Sequence, residues 1–184
     1  MIEAADRRRL LSLARQALVA RVRRTTLPRP PHDLEILAFG VFVTAHHRGD
    51  LRGCLGTLDA REPIPAAVIR LAADVAHKDP RFEPIDVHEI EDILIDLSVL
   101  TPPEMVGDPS GIVVGRDGLI VEHGSRKGLL LPQVAPEHGW DRDTFLAHTC
   151  LKAGLARDAW RNGATIFRFE AEVFGEIEMG RAGL

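Results

Sequence analysis

The chain has 184 residues, of which 45% are hydrophobic and 27% are charged, with a formal net charge of −4 at pH 7. This length suits one domain, and this composition excludes wholesale disorder because enough apolar surface is present to form a core. The acidic balance disfavours a nucleic-acid-binding protein, which normally needs a broad basic surface to release counterions from phosphates.

Two helices and one hairpin are predicted in the first half of the chain. Apolar residues recur at helical spacing over 2–22, with arginine and glutamine between them, which is typical of an amphipathic helix. Two extended patterns, 37–45 and 51–58, flank turn residues 48–50 and predict a β-hairpin. Prolines then begin a second helical pattern over 63–78.

Short strands are predicted for the middle of the chain. Apolar and polar residues alternate over 91–101, which indicates a strand with one buried face. Residues 112–121 are predicted to form a hairpin that turns at 116–118. The glycines of 124–128 favour another turn over an anion-binding loop, because the helix of a phosphate-binding loop does not follow.

A third helix and a last strand complete the prediction. Asp141 is a suitable N-cap for a helix through Lys152, and Gly154 suits its left-handed end. Inward positions are expected at Phe145, Leu146 and Leu151. The alternation over 167–173 predicts a strand with Phe167, Phe169, Ala171 and Val173 on its buried face.

This order of elements predicts an α+β fold, a mainly antiparallel sheet flanked by helices, in a single domain over 1–184. No stretch approaches the roughly 20 uninterrupted apolar residues of a membrane helix, and the N-terminus lacks the apolar core of a signal peptide. We therefore expect a cytoplasmic protein. Its two cysteines, Cys54 and Cys150, are too few for a disulfide framework, so free thiols are expected.

The segment Arg52-Gly53-Cys54-Leu55-Gly56-Thr57 is the strongest candidate for chemistry. Glycines beside a cysteine in a strand allow a ligand or another backbone to approach closely. A neighbouring cation such as Arg52 or His47 would favour the thiolate of Cys54, the reactive form of the side chain. The alternative is that Cys54 is a buried, inert residue, as free cysteines usually are.

The histidines do not indicate a metal site. His46 and His47 are adjacent in a predicted strand, so their side chains point to opposite faces and cannot readily chelate one ion. The remaining histidines show neither a helical zinc-protease pattern nor a cysteine-pair partner. No metal and no cofactor is therefore assigned.

Four further residues are candidates for a binding site, each with a structural alternative. Asp79 and Arg81 follow the second helix, where they could simply form a turn, or where Arg81 could clamp a carboxylate or phosphate. Gln133 and Trp140 lie in or beside an apolar loop that could line a pocket or pack on the sheet. Spacing alone does not decide between these alternatives.

The chain resembles the AMMECR-one domain family, also described as component A of the AmmeMemoRadiSam system. The resemblance covers nearly the whole chain and consists of several motifs in series. They are Leu51-Arg52-Gly53-Cys54-Leu55-Gly56-Thr57, Asp79-Pro80-Arg81-Phe82, Leu97-Ser98-Val99-Leu100-Thr101-Pro102, Asp117-Gly118-Leu119, Gly128-Leu129-Leu130-Leu131-Pro132-Gln133-Val134-Ala135, Gly139-Trp140-Asp141 and Lys152-Ala153-Gly154-Leu155. Leu55 and Leu58 stand where the family pattern has isoleucine and phenylalanine.

The resemblance implies a larger and a smaller subdomain sharing a cleft, with the Arg-Gly-Cys segment in that cleft. It also implies genetic association with a Memo-like protein and a radical S-adenosylmethionine enzyme. Three functions follow as expectations. The first is an accessory component that binds a partner or small molecule around Arg52, Cys54, Arg81 and Gln133. The second is an enzyme that uses the Cys54 thiol, and the third is a nucleic-acid-associated regulator.

Overall fold

The computed structural model describes residues 2–36, 38–58 and 62–179, and it is an α+β protein with an antiparallel sheet and flanking helices. The predicted fold class is therefore confirmed. The chain divides into two compact units, the first comprising 1–100 and 172–184 and the second comprising 101–171. Within the described ranges, no helix combines the length and apolar character needed to cross a membrane.

The helices are α1 (Ala4–Val22), α2 (Ile64–Val75), α3 (Val134–Glu137), α4 (Arg142–Lys152) and α5 (Glu176–Met179). The strands are β1 (Gly40–His47), β2 (Asp50–Thr57), β3 (Ile93–Leu100), β4 (Glu104–Met105), β5 (Asp117–His123), β6 (Arg126–Leu130) and β7 (Thr165–Gly175). Single turns of 3₁₀ helix occur at Val87–Glu89, Pro109–Gly111 and Ala159–Arg161.

In the first unit, β1 lies between β2 and β3, and α1 and α2 pack together against this sheet. The predicted hairpin of β1 and β2 is confirmed, with its turn at Arg48 and Gly49, both at positive φ. Alternate strand residues are buried under the helices, as the period of a β-strand requires. These buried strand residues are Val41, Val43, Ala45, Ile93, Ile95, Leu97 and Val99.

In the second unit, β5 pairs with β6 and β7, and the short β4 pairs with the other edge of β7. Helix α4 packs against β5 and β6. The contact is close because Gly128 has no side chain: a Cβ atom there would lie 2.3 Å from the backbone nitrogen of Ala153. The predicted Asp141 cap is confirmed, since its carboxylate accepts the Thr144 N–H at 2.8 Å.

The predicted hairpin over 112–121 is wrong. The side chain of Asp117 is only 1% exposed and accepts the Val113 N–H at 2.8 Å, while the backbone N–H of Asp117 donates to the Val113 carbonyl at 3.0 Å. These bonds hold residues 113–116 in a turn. Strand β5 therefore begins at Asp117, and its hairpin partner is the following strand, β6. The turn predicted within 124–128 is confirmed, with Gly124 at φ 62°.

Two predicted inward positions are also wrong. Leu151 is 43% exposed, and Cys150 is the buried residue at that end of α4. Val173 is 58% exposed, whereas its neighbour Phe174 is 1% exposed and belongs to the core of the first unit. Strand β7 begins in the second unit and ends in the first, so one uninterrupted alternation does not describe its burial.

Candidate functional site

Cys54 lies in the middle of β2, an edge strand of the first unit's sheet. Its neighbour Gly53 faces α2, where a Cβ atom would lie 3.0 Å from Cγ1 of Val75. A side chain there would be in tight contact with Val75, so glycine lets the end of α2 rest closely on β2 at this point. Because successive strand residues point to opposite faces, the Cys54 side chain lies on the face away from α2.

That face carries a cluster of half-buried polar side chains. In the strand register, Thr44 lies between Cys54 on β2 and Asp96 on β3. The Thr44 hydroxyl lies 3.3 Å from Sγ of Cys54, and Nε2 of His46 lies 3.1 Å from Oδ2 of Asp96. We call this cluster, which consists of Thr44, His46, Cys54, Asp96 and Ser98, the Cys54 face.

The backbone of Cys54 is fixed from the free edge of β2 by Asp79 and Arg81. The Cys54 N–H donates to Oδ2 of Asp79 at 2.9 Å, and a guanidinium nitrogen of Arg81 approaches the Cys54 carbonyl oxygen at 3.4 Å. Arg81 also forms two side-chain bonds with the Asp79 carboxylate, at 2.9 and 2.7 Å. The pair thus occupies the edge position where another strand would otherwise pair.

These contacts set the charge state of Asp79. Hydrogen bonds from the Arg81 guanidinium, reinforced by the backbone N–H groups of Cys54 and Arg81, hold the Asp79 pKa well below its usual range. The same ion pair raises the pKa of Arg81. Asp79 is only 4% exposed, so the cysteine backbone is anchored to a buried carboxylate that stays ionised in neutral solution.

The guanidinium of Arg52 is engaged elsewhere. It binds both carboxylate oxygens of Glu89, at 2.8 and 3.0 Å, and donates to the carbonyl oxygens of Glu83 and Pro84. Hydrogen bonding to Glu89 raises the Arg52 pKa, and the same contact lowers the Glu89 pKa. Arg52 therefore fastens the 83–89 loop to β2, and its described bonds do not reach the Cys54 thiol.

The other predicted site residues fall into two groups. Gly56 and Thr57 continue β2, and the missing side chain of Gly56 makes room for the Phe42 ring, which a Cβ would approach to 2.1 Å. Gln133 and Trp140 belong to the second unit. Gln133 is exposed at the start of α3, and Trp140 is stacked between the rings of His138 and His148 at centroid distances of 4.7 and 3.9 Å.

Three residues of the Cys54 face were not predicted as site residues: Thr44, Asp96 and Ser98. His46 was considered only as a metal ligand, and its contact with Asp96 was not predicted. The alternation of β1 places Thr44 and His46 on one face, and that signal was present in the sequence. Asp96 could not be added, because its position opposite Thr44 depends on the register between β1 and β3. His46 and His47 do diverge as expected, with His47 lying 3.9 Å from Glu89.

In the part of the chain that the structure describes, the Cys54 thiol has a hydroxyl neighbour, and no base lies within hydrogen-bonding distance of it. A nucleophilic cysteine normally has a base within hydrogen-bond reach, whereas the described contact of the His46 ring is to Asp96. Cys54 lies opposite Thr44, and His46 lies opposite Leu51, with a shift of register between Ala45 and His46. Over the described ranges, no group of three or more His, Cys, Asp or Glu side chains is arranged to hold a metal ion.

The two cysteines are expected to differ sharply in thiol reactivity. Cys54 is half-buried, whereas Cys150 is fully buried and burial raises the pKa of its thiol. Titration of the native protein with a chromogenic disulfide reagent should therefore show one fast thiol, with the second appearing only after unfolding. Cys54→Ser should remove the fast phase, and Cys150→Ala should leave it intact. A fast phase that survives Cys54→Ser would contradict the described exposure.

Fold and site together define a class: an α+β protein in which a glycine-flanked cysteine lies on a half-buried polar sheet face, with its backbone fixed by an Asp-Pro-Arg segment. Residues 11–174 match the AMMECR1 family model. The chain belongs to the AMMECR1 family, which confirms the resemblance inferred from its motifs.

Relatives in archaea align over most of the chain. A protein of Methanothermobacter thermautotrophicus is 45% identical over 92% of this chain and 93% of its own length. Protein PF1979 of Pyrococcus furiosus is 44% identical over 91% of this chain and 86% of its own length. The crystal structure of the uncharacterized protein PH0010 from Pyrococcus horikoshii is 40% identical, with a TM-score of 0.77 over 95% of this chain and 93% of that one.

Proposed function

We propose that the chain is a binding component that holds a small polar ligand or a partner segment on the Cys54 face. The observation that supports this most directly is the row of Cys54, Thr44 and Asp96 across three paired strands. These side chains supply hydrogen-bond donors and acceptors on a rigid sheet, and rigid elements position binding groups more accurately than loops do. Partly exposed His46 and Asp96, at 31% and 37%, remain reachable.

The binding role is favoured over catalysis because the parts of a catalytic cysteine site are not joined. The thiol has a hydroxyl partner, and the imidazole has a carboxylate partner. A contact between thiol and imidazole would be needed for direct proton transfer. The anchoring of the Cys54 backbone by Asp79 fits either role, since both require a fixed thiol.

The first partners to test are a Memo-like protein and a radical S-adenosylmethionine enzyme from the same organism, because the family resemblance implies genetic association with them. A transient complex of micromolar affinity is expected, as is common for accessory components with small interfaces. Sedimentation velocity on mixtures of the full-length proteins measures it without labels.

The Cys54 face is expected to be the contact surface in that complex. Ser98→Arg places a long charged side chain on the face and should weaken binding by about tenfold or more, since a desolvated mismatched charge costs several kcal/mol. The matched control is Ser12→Arg on α1, a half-buried serine outside the face. Equal binding by both variants would count against this surface. The absence of a complex with either partner would count against these partners.

A second candidate function, thiol chemistry on a small substrate, is supported by one contact. The Thr44 hydroxyl lies 3.3 Å from the Cys54 sulfur and can donate to it, so it can hold the sulfur in one position for attack on a substrate. Thr44→Val should then slow alkylation of Cys54 at neutral pH, whereas a thiol of no special character would be alkylated at an unchanged or higher rate.

The third candidate, nucleic-acid binding, is weakened by the described contacts. Arg7 pairs with Glu172, Arg9 with Asp33 and Arg15 with Glu176, so three of the five arginines of α1 are engaged by carboxylates. A basic surface for phosphates would need these charges to be free.

A further inference from the structure

A concavity lies in the first unit at the C-terminal ends of α1 and α2, and it shares no residue with the Cys54 face. Its volume is about 570 Å³, within the range of roughly 300–1,000 Å³ that small-molecule sites usually have. Arg21, Arg24 and Thr25 line it at the end of α1, and His77 and Ile85 line it after α2. We call it the helix-end cavity.

Two arginines line this cavity without a described partner. Neither Arg21 nor Arg24 has a side-chain hydrogen bond or ion pair among the described residues. By contrast, Arg15, Arg52 and Arg81 are each bound to a carboxylate. The guanidinium groups of Arg21 and Arg24 offset the partial negative charge of the two helix C-termini and remain available to an anion.

The backbone at Arg24 makes glycine a suitable replacement there. Arg24 has φ 56°, a left-handed conformation that is usually taken by glycine after a helix. The N–H groups of Arg24 and Thr25 donate to the carbonyl oxygens of Arg21 and Ala20, which caps the last turn of α1. Arg24→Gly therefore removes the guanidinium and keeps the cap with less strain.

The lining residues that follow α2 are fixed in place. The Ile85 N–H donates to the Ala76 carbonyl oxygen at 2.8 Å, and Arg52 holds the Pro84 carbonyl oxygen at 3.1 Å. The Nδ1 atom of His77 lies 3.0 Å from the Ala73 carbonyl oxygen, which orients that ring. A ligand would therefore meet a lining of mixed polar and apolar groups whose backbone is already held in place.

We propose that the helix-end cavity binds a small organic anion, a carboxylate or phosphate ester with an apolar body. The anionic group contacts the guanidinium groups of Arg21 and Arg24, which match carboxylate and phosphate oxygens in geometry. The apolar body packs on Val22, Ala76 and Ile85. The site shares no residue with the Cys54 face, so it is a function additional to the one proposed above.

Four probes of similar size test the charge requirement: phenyl phosphate, benzoate, neutral benzyl alcohol and cationic benzylamine. Isotope-edited NMR titration of the full chain should give millimolar dissociation constants for the two anions, as expected for ligands of about ten atoms. Amide shifts should concentrate at 20–25 and 76–85. The neutral and cationic probes should bind about five- to tenfold more weakly, since they lose the charged hydrogen bonds.

Arg24→Gly and Arg21→Gln should each weaken anion binding by about five- to tenfold. Arg24→Gly is an informative variant because glycine suits the left-handed position, and an unlowered melting temperature shows that the fold persists. The matched control is Arg157→Gln, which removes the same charge from an exposed arginine outside the cavity. Equal binding of all four probes, undiminished anion binding in the Arg21 and Arg24 variants, or shifts confined to other residues would each overturn the proposal.

Discussion

Replacing Glu176 with alanine is expected to lower the free energy of unfolding by about 3–5 kcal/mol, because it leaves a half-buried cation without its partner. The Glu176 side chain is 0% exposed, and Arg15 is 18% exposed. Glu176 accepts the Nε–H of Arg15 at 2.8 Å and the Ile95 N–H at 2.9 Å. Urea denaturation followed by circular dichroism measures the change.

The cost should arise from the orphaned partners rather than from the loss of an attractive ion pair. Arg15 also donates to the carbonyl oxygens of Ile90 and Ile93, so its guanidinium cannot simply turn to water without breaking those bonds. The double variant Arg15→Met, Glu176→Leu should regain part of the lost stability, since it removes both charges. The recovery is partial because the Ile95 N–H and the Ile90 and Ile93 carbonyl oxygens lose these partners. A double variant as unstable as the single one would contradict this account.

A matched control for the Glu176 experiment is the exposed pair of Arg9 and Asp33. Its carboxylate is 75% exposed, and water screens the interaction. Asp33→Ala should leave the urea midpoint nearly unchanged. A comparable loss in both variants would show that burial does not control the effect.

Most elements were predictable because their signals are local. The spacing in α1, the prolines before α2 and the turn residues before β2 each act within a few positions of the chain, and all three elements form where predicted. The prediction of a hairpin over 112–121 failed because a local signal was misinterpreted. Asp117 resembles a turn residue in sequence, but its buried carboxylate binds the chain four residues earlier and begins the strand.

The candidate site was predictable only in part. The glycines around Cys54 predicted that another group packs closely against β2. At Gly53 that group is Val75 of α2. Asp79 was identified as a candidate, yet its bond to the Cys54 N–H joins residues 25 positions apart and follows from tertiary structure. Glu176 gave no signal, because an acidic residue after a strand is ordinarily exposed and its partner Arg15 lies 161 positions away.

Replacing Asp79 with alanine is expected to lower the free energy of unfolding by about 2–3 kcal/mol, mainly because the Cys54 N–H loses its acceptor at a covered position. The edge of β2 should also loosen at Cys54. The rate of Cys54 alkylation should therefore rise in Asp79→Ala, in addition to the shift of the urea midpoint. Both measurements use the same protein samples.

Arg81→Gln provides the matched control, because it removes the cation and leaves the Asp79 bond to the Cys54 N–H in place. Arg81→Gln leaves the 2%-exposed Asp79 carboxylate without its cation, which is also costly, but the carboxylate keeps its bond to the Cys54 N–H. We therefore expect a smaller loss of stability than in Asp79→Ala, where that N–H loses its acceptor. The critical result is that Asp79→Ala has a lower free energy of unfolding than Arg81→Gln. The reverse ranking would mean that the ion pair, and not the backbone bond, holds this edge.

The dependence of stability on pH distinguishes two contributions of Asp79: its negative charge and the hydrogen bonds that a side chain of its shape can accept. The pKa of Asp79 is lowered in the folded protein, so the unfolded chain binds its proton first, near the ordinary aspartate pKa of about 3.9. The stabilisation is therefore fully present above about pH 5 and is lost as pH falls through the lower folded pKa. Asp79→Asn keeps the shape without the titration, so its stability should fall less steeply than that of the wild type below pH 5. Parallel curves for the two proteins would show that the folded environment does not favour the ionised carboxylate.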